Sequence, residues 1–521
     1  MRPLATRLEE RARRTPRRAA VTFLDGEGRV IASLDAAALM TGAERFAASF
    51  EEAGGRAVLL PAEPTPDFVA ALCGCLIGGG VAVPVPPALR PRTLDRLEAI
   101  VADAGAGAIA DTGPASRRLA ERFPGLGLLE MSAADAGACP SPDPKAPALL
   151  QYTSGSTGTP KRVAVSQGNL AANLDMLQVG FGASAESRIL SWLPLHHDMG
   201  LVAQLLLALH CGAEILLMEP LSFIRRPQAW LTAVARHGAT ISGAPDFAYA
   251  LCLRRVRPAM LAGLDFSAWE VAFCGAEPVR PTTLRRFADL LAPQGFARRA
   301  LLPCYGLAEA TVYVSGGPPG QGLKTRIAGD GREVVSCGRP AGSVIIVDPA
   351  TGKPVPDGAA GEIRVAGPHV AAGNTVDTGD LGFMADGELF VTGRLKDLII
   401  HRGENLHPSE IEATIAAADG RLGPAGAVFA VEADEGERIA AVFEAKRALP
   451  DNEALPILRA VAEAHGVKLH DLLLVAPGQV PRTTSGKVRR RACRDLYRAG
   501  ALKPAPVPAA AAVPVPAAAA G

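Results

Sequence analysis

Between Tyr152 and Lys161 the chain reads YTSGSTGTPK, a run of serine and threonine hydroxyls around two glycines that closes on a proline and a lysine. Glycines let backbone N–H groups approach an anion, hydroxyls add donors and the lysine adds charge, so the chemistry on offer is the grip of a polyphosphate. The spacing is not that of the P-loop, which ends in Gly-Lys-Ser/Thr, because Lys161 follows Pro160. An ordinary Ser/Thr/Gly surface loop has the same composition, and these residues alone leave both readings open.

Further loops combine glycine or proline with polar side chains: LPLHHDMGL (193–201), FCGAEP (273–278), CYGLAEAT (304–311), TGDLG (378–382), GRLKD (393–397) and PRTTSGKVRR (481–490). His196, His197 and Asp198 do not have zinc spacing, since adjacent side chains cannot readily face one ion and no His-x-x-x-His pair is present. A histidine in such a run, a glutamate at a helix start such as Glu309 and an aspartate in a turn such as Asp380 have plain structural readings beside functional ones. Arg489 to Arg491 read as a solvated helix face rather than a nucleic-acid patch.

Loops of this kind need elements whose ends converge. From about residue 57 to 320, apolar runs (AVLL, VAVPV, RILSWL, AEILLM, ATISG, EVAFCG) alternate with helical-period stretches such as RPTTLRRFADLLA. That alternation predicts βαβ units and largely parallel sheets, with active-site loops beyond the strand ends. Residues 323–392 change to VIIVD, GEIRVAG and GELFVTG between turn residues, the pattern of a small antiparallel subdomain. After GRLKD, helix patterns (PSEIEATIAAA, ALPILRAVAEA) mix with strands (GAVFAV, RIAAVFEA, DLLLVA) over the length of a separate small domain. The expected fold class is therefore α/β: a large multi-subdomain N-terminal domain over 1–395, a small α+β C-terminal domain over 396–500, and a Pro/Ala-rich disordered tail over 501–521.

A chain of 521 residues is too long for one ordinary core. Its formal charge of +1 argues against a globally basic nucleic-acid binder. Nine cysteines without zinc-like pairs read as the reduced thiols of a cytoplasmic protein, and the charged start MRPLATRLEERARRTPRR has no apolar segment of a secretory signal behind it. Phe68 to Pro87 is uncharged over about the length of a bilayer span, but Gly78 to Gly80 interrupt it. A buried helix, a glycine turn and a buried strand are expected there, with no membrane span.

Taken in order, the motifs resemble those of the adenylate-forming superfamily of acyl-CoA synthetases, nonribosomal peptide adenylation domains and luciferases, over nearly the whole chain apart from the tail. LPLHHDMGL, GAEPVRPTTLRRFA and YGLAEATVYVSGG are similar to fatty acyl-AMP ligases in particular. The resemblance implies ATP and Mg2+, and a carboxylic acid, of the fatty class, activated to acyl-AMP with release of pyrophosphate. It implies that Thr153, Ser154, Gly155, Ser156, Thr157, Gly158 and Lys161 hold the ATP β- and γ-phosphates, and that Gly275, Ala276, Glu277 and Tyr305 line the adenine. Asp380 and Arg394 would hold the ribose, Glu309 the magnesium, and His197 would lie near the substrate carboxylate. Lys487 matches the catalytic lysine that bridges α-phosphate and carboxylate, and Lys396 the hinge of a mobile C-terminal domain.

The implied acceptor is the phosphopantetheine thiol of an acyl carrier protein. Coenzyme A is the alternative, because HRGENLHPSEIE (401–412) looks more like acyl- and aryl-CoA ligases. A third reading, a non-catalytic nucleotide or acyl binder on the same fold, is opposed by the presence of Lys487, Glu309 and the complete phosphate loop. SGAPDFAYALC (242–252) matches a region that lines the acyl pocket in relatives.

Overall fold

A computed structural model of the chain describes residues 3–52, 57–87, 91–132, 142–154, 160–329, 331–371, 373–401, 404–433, 436–483 and 487–506. The chain divides into two compact units, Met1–Thr392 and Gly393–Gly521.

The first unit is organised by two sheets. One has seven strands in the order Leu301–Pro303, Val271–Cys274, Ile241–Ala244, Arg188–Ser191, Glu214–Met218, Ala19–Leu24 and Val30–Asp35. Every pair in it is parallel except the last. The other has six, Gly127–Leu129, Ala106–Ala110, Ala57–Pro61, Val81–Val85, Pro147–Ser154 and Pro160–Ser166, again parallel up to a closing antiparallel pair. Parallel strands covered on both faces need apolar side chains at every position, so Ile215, Leu216, Leu217 and Met218 are all buried. One hydrophobic core runs from Leu4 to Tyr313 and joins elements of both sheets.

The uncharged stretch after Phe68 is a buried helix, Pro66–Ile77, a turn through Gly79 at φ 71° and the strand Val81–Val85, as its glycines predict. Gly74 lets the helix Ala36–Glu52 pack close, since a Cβ there would stand 2.7 Å from the carbonyl oxygen of Ala43. Among the described residues no helix is long and apolar enough to cross a membrane. The first helix, Leu4–Arg14, docks late in sequence terms: Arg11 donates to the carbonyls of Ala213 at 2.9 Å and Ala19 at 2.8 Å, and Arg7 pairs with Asp175 at 3.1 Å.

The antiparallel subdomain expected over 323–392 contains a sheet of Ser343–Val347, Gly361–Ala366, Thr375–Ala385 and Glu388–Arg394, neighbours in that order. Its last hairpin turns on Asp386 and Gly387, both at positive φ (53° and 73°), the twist that two-residue hairpin loops require.

In the second unit, strands Leu422–Ala433, Gly436–Ala445 and Leu469–Val475 form one sheet, accompanied by helices Pro408–Ala418, Asp451–His465 and Arg490–Arg498. The start of the expected disordered tail is corrected here. Leu502 and Ala505 are buried, the N–H of Ala505 donates to the Leu474 carbonyl at 2.9 Å, and Ala448 donates to Pro506 at 2.9 Å. Prolines hold 502–506 extended while the residues between them offer apolar side chains and carbonyls, so the segment lies along the sheet edge instead of leaving it. Residues 507–521 lie outside the described residues.

Ending the chain after Ala501 is therefore expected to destabilise the second unit by about 2 kcal/mol, because two buried apolar side chains and their backbone bonds are lost. Ending it after Pro506 should leave the denaturant midpoint where it is. Equal midpoints for both truncations would show that the buried segment contributes nothing.

Candidate active site

Four adjacent parallel strands, Leu301–Pro303, Val271–Cys274, Ile241–Ala244 and Arg188–Ser191, end at the same edge of the seven-stranded sheet. Their following loops emerge side by side, where ligand sites of open α/β sheets lie. In that spatial order they carry Tyr305 and Glu309, then Gly275 to Glu277, then Asp246 and Phe247, then His197.

Glu309 sits in a single 3₁₀ turn, Ala308–Ala310, followed by Thr311 at φ 68° and ψ −62°. The N–H of Val312 donates to Ala310 O at 2.8 Å, so Thr311 is the centre of a γ-turn of the rare positive-φ kind, strained for a β-branched residue. Fixed partners hold it. Thr311 Oγ1 donates to His369 O at 2.7 Å. Asn173, fully buried on the helix Gln167–Phe181, donates through Nδ2 to Tyr313 O at 2.7 Å and Ala310 O at 3.3 Å, and its Oδ1 accepts from Tyr313 N at 3.1 Å. Gly306 admits no side chain, because a Cβ would lie 1.7 Å from Val312 O. Sequence reading missed Asn173; its only signal is a carboxamide between apolar neighbours in LAANL.

The turn presents Glu309 to Lys161, whose Nζ donates to Oε1 at 3.0 Å across 148 residues of sequence. Lys161 is the second residue of the strand Pro160–Ser166, paired antiparallel with Pro147–Ser154 so that Thr153 faces Lys161. The base of the expected phosphate loop is thus a hairpin stem. Gly155, Ser156, Thr157 and Gly158, and the side chain of Ser154, lie outside the described residues.

Tyr305 and Asp380 also meet: the phenol donates to Oδ2 at 2.8 Å, and both residues are buried. Asp380 reaches it from a bulge, since Arg364 pairs with Asp377 and Glu362 with Leu381, leaving extra residues between, with Gly379 at φ 70°. In the neighbouring loop Ala276 takes φ 67°, and the Glu277 carboxylate accepts from the N–H of Phe247, joining the loops of two adjacent strands.

Two ionisable groups here are strongly displaced. Burial pushes the Asp246 carboxyl up to about 7, although the Arg280 guanidinium at 3.6 Å and the Arg280 N–H at 3.0 Å pull the other way. Burial, helped by the charge of Arg96, holds His196 down to about 3, so it stays neutral and its ring stands 4.6 Å from that of His197. His196 thereby acts as an aromatic ring. His197 precedes the short turn Asp198–Gly200, and its carbonyl accepts from Leu201 N at 2.8 Å.

Arg394, Lys396 and Lys487 belong to the second unit. Arg394 and Lys396 are exposed. Lys487 is on a hairpin: its N–H donates to Thr483 Oγ1 at 3.0 Å, its carbonyl accepts from Thr483 N at 2.7 Å, and Arg489 N donates to Pro481 O at 2.8 Å. The buried Glu444 carboxylate holds the approach to this hairpin through Gly478 N (2.8 Å), Val480 N (3.1 Å) and Arg482 (3.3 Å). Arg490 corrects the expected solvated arginine face. It binds both oxygens of Glu412, at 2.9 and 3.1 Å, and also Asp397, next to Lys396. Burial disfavours its cation, and the two carboxylates more than offset that, leaving it above its usual range.

The sequence profile of the AMP-binding enzymes matches residues 8–373. A medium-chain-fatty-acid–acyl-carrier-protein ligase of Moorena producens, JamA, is 37% identical over 84% of this chain and 84% of its own length. A solved fatty acyl-adenylate ligase from a study of the E. coli and L. pneumophila enzymes superposes with a TM-score of 0.86 at 30% identity, over 96% of this chain and 98% of the other. The L. pneumophila enzyme in complex with acyl adenylate and pyrophosphate gives 0.73 at 33%, over 95% and 96%.

Replacing Asn173 by alanine leaves buried backbone groups of Ala310 and Tyr313 unpaired, and should cost about 3 kcal/mol in chemical denaturation. A loss below about 0.5 kcal/mol would mean the γ-turn holds itself. Asp246 has a pH signature. Because its folded value lies above the ordinary 3.8, the folded state keeps a proton that the unfolded chain has lost, so this group's contribution to stability falls as pH rises from there to about 7 and is level beyond. The gain in melting temperature of Asp246→Asn over the parent should then be larger at about pH 8 than at about pH 5. A pH-independent difference would remove the buried-carboxyl assignment.

Proposed function

The chain belongs to the AMP-binding enzyme family and is an acyl-activating ligase, and on that premise we propose that it converts a fatty acid and ATP to acyl-AMP and pyrophosphate, then passes the acyl group to the phosphopantetheine thiol of an acyl carrier protein. The observation that carries this reading is the convergence of two pairs, Lys161 with Glu309 and Tyr305 with Asp380, on Tyr305 and Glu309 in the loop that ends one sheet. A lysine on a hydroxyl-rich hairpin answers a polyphosphate, and a buried tyrosine–aspartate pair answers a nucleoside.

In the first step a carboxylate oxygen attacks the α-phosphorus and the bond to the bridging oxygen breaks, so pyrophosphate leaves. In the second the thiolate attacks the acyl carbon and AMP departs with the C–O electron pair. Charge builds on phosphate oxygens in the first step, where preorganised cations and N–H donors lower the barrier. Thr153, Ser154, Gly155, Ser156, Thr157, Gly158 and Lys161 are assigned to the β- and γ-phosphates, Gly275, Ala276, Glu277 and Tyr305 to adenine, and Asp380 and Arg394 to ribose. Lys487 is assigned to the α-phosphate and the carboxylate, His197 to the carboxylate, and Lys396 to the pivot between half-reactions.

Magnesium held largely by nucleotide phosphates asks for only one or two protein carboxylates, and Glu309 offers one beside the phosphate hairpin. Bound there, it would neutralise phosphate charge. The name of the Moorena relative supports a carrier protein over coenzyme A as acceptor. ATP and a free thiol acceptor are supplied together in the cytoplasm, where we place the reaction.

Pyrophosphate release measured across acids of graded length, followed by transfer to holo carrier protein or to coenzyme A, tests the proposal. Lys487→Ala should slow adenylate formation about 10²- to 10³-fold while ATP still binds. Unchanged pyrophosphate release in that variant would take Lys487 out of the mechanism, and faster transfer to coenzyme A than to carrier protein would overturn the acceptor.

A further inference from the structure

Among the described residues, three exposed large apolar side chains gather in two short segments: Leu221 (39% exposed) and Ile224 (43%) on the helix Pro220–Arg225, and Met260 (42%) on the 3₁₀ turn Pro258–Leu261. The fold fastens the segments together. Arg255 Nη1 donates to Ile224 O at 3.1 Å, and Gln228 Nε2, in the helix that follows, donates to Met260 O at 2.8 Å. Residues 219–228 and 253–262 hold five arginines (225, 226, 254, 255 and 257) and one acid, Glu219, a local charge of 5 − 1 = +4 in a chain whose total is +1. All five arginines are exposed. Arg226 leans on Glu27 at 3.9 Å; the other four have no carboxylate within ion-pair distance among the described residues. Burial and the like charge of Arg255 hold Arg254 below its usual range.

We propose that this patch seats the enzyme on an anionic lipid surface. Exposed apolar side chains on short turns, in segments that carry five exposed arginines, match peripheral membrane contact, in which the apolar tips enter the acyl boundary while the cations meet headgroup phosphates. A partner helix would instead call for an apolar groove. One helix links the patch to the candidate site. The helix Asp246–Arg255 carries Asp246 and Phe247 at the candidate site in its first turn and Arg254 and Arg255 in its last, about 12 Å away along its axis. Residues 242–252 are those expected to line the acyl pocket. A lipid-dissolved fatty acid would thus meet the protein at the far end of the element that borders its destination. That purpose rests on the fatty-acid reading, whereas the lipid contact does not.

The full chain is mixed with phosphatidylcholine vesicles with and without phosphatidylglycerol, and bound protein is measured by flotation. It should bind only the anionic vesicles and be released as salt rises. A triple variant Arg225→Gln, Arg254→Gln, Arg257→Gln should bind about 100-fold more weakly. A second, Leu221→Ser, Ile224→Ser, Met260→Ser, should also lose binding. Both should form adenylate from a short, water-soluble acid at the parental rate, which certifies their fold. Failure of the parent to bind anionic vesicles, or equal binding by both variants, overturns the proposal. Patch-dependent capture of an acidic carrier protein without vesicle binding also overturns it, and makes the surface a protein dock. If the parent binds vesicles through the patch yet releases no pyrophosphate with any acid, the lipid contact stands and the ligase reading falls.

Discussion

The candidate site hangs on one carboxamide. Asn173 grips both sides of a strained turn at Thr311 and, with the Thr311–His369 bond, folds Val312 back over Gly306. The turn sets where Glu309 points and how Tyr305 enters its pairing with Ser315, and through Tyr305 it sets the position of Asp380 on another sheet. Strain of this kind persists only where surrounding structure over-determines it. Asn173 comes from a helix whose own start is secured by a reciprocal Ser166–Asn169 cap, and Asn169 also donates to Pro368 O and Val370 O, near the His369 carbonyl that holds Thr311. One helix therefore anchors both flanks of the turn.

The ion pair of Lys161 and Glu309 follows from the same geometry. Each group is suited to a ligand of opposite sign to itself, and each satisfies the other meanwhile. Lys161 is largely exposed, so water screens the attraction and the pair is cheap to open. On the proposed reading, a nucleotide phosphate and a cation arriving together would exchange one ion pair for two without stranding a charge, as suits a site that must fill and empty in every turnover. In the second unit the logic differs. Arg490 is shielded between Glu412 and Asp397, and Glu444 is buried under the Lys487 hairpin. Removing one partner there leaves an uncompensated charge, so these groups are fixtures of the scaffold.

The sequence made the sheets legible because buried parallel strands announce themselves as continuous apolar runs; AEILLM, EVAFCG and VAVPV all lie on strands. The ordered motifs marked the loops at the strand ends. What they could not mark were residues defined by who meets them across the chain: Asn173, Glu444 and Glu412 have no local pattern, and their partners lie 137, 34 and 78 residues away. Arg490 was misread for the same reason, since three successive arginines look alike until a fold chooses one to enclose. At the start of the Pro/Ala stretch, residues 502–506, composition speaks against a core of its own, while the edge of an existing sheet asks only for an extended backbone and the apolar contacts of Leu502 and Ala505.

The docking of the first helix bears on how the protein is made. Arg11 finds its acceptor at Ala213, 202 residues downstream, and the helix packs into a core that closes only with strands near residue 300. At about 5–20 residues per second a ribosome needs roughly 10–40 s to deliver Ala213 after Arg11. Throughout that interval the first helix has only part of its surroundings, since it touches the helices Ala36–Glu52 and Pro66–Ile77 as well as the later Leu207–Cys211. Part of this helix's burial therefore waits on residues made long after it.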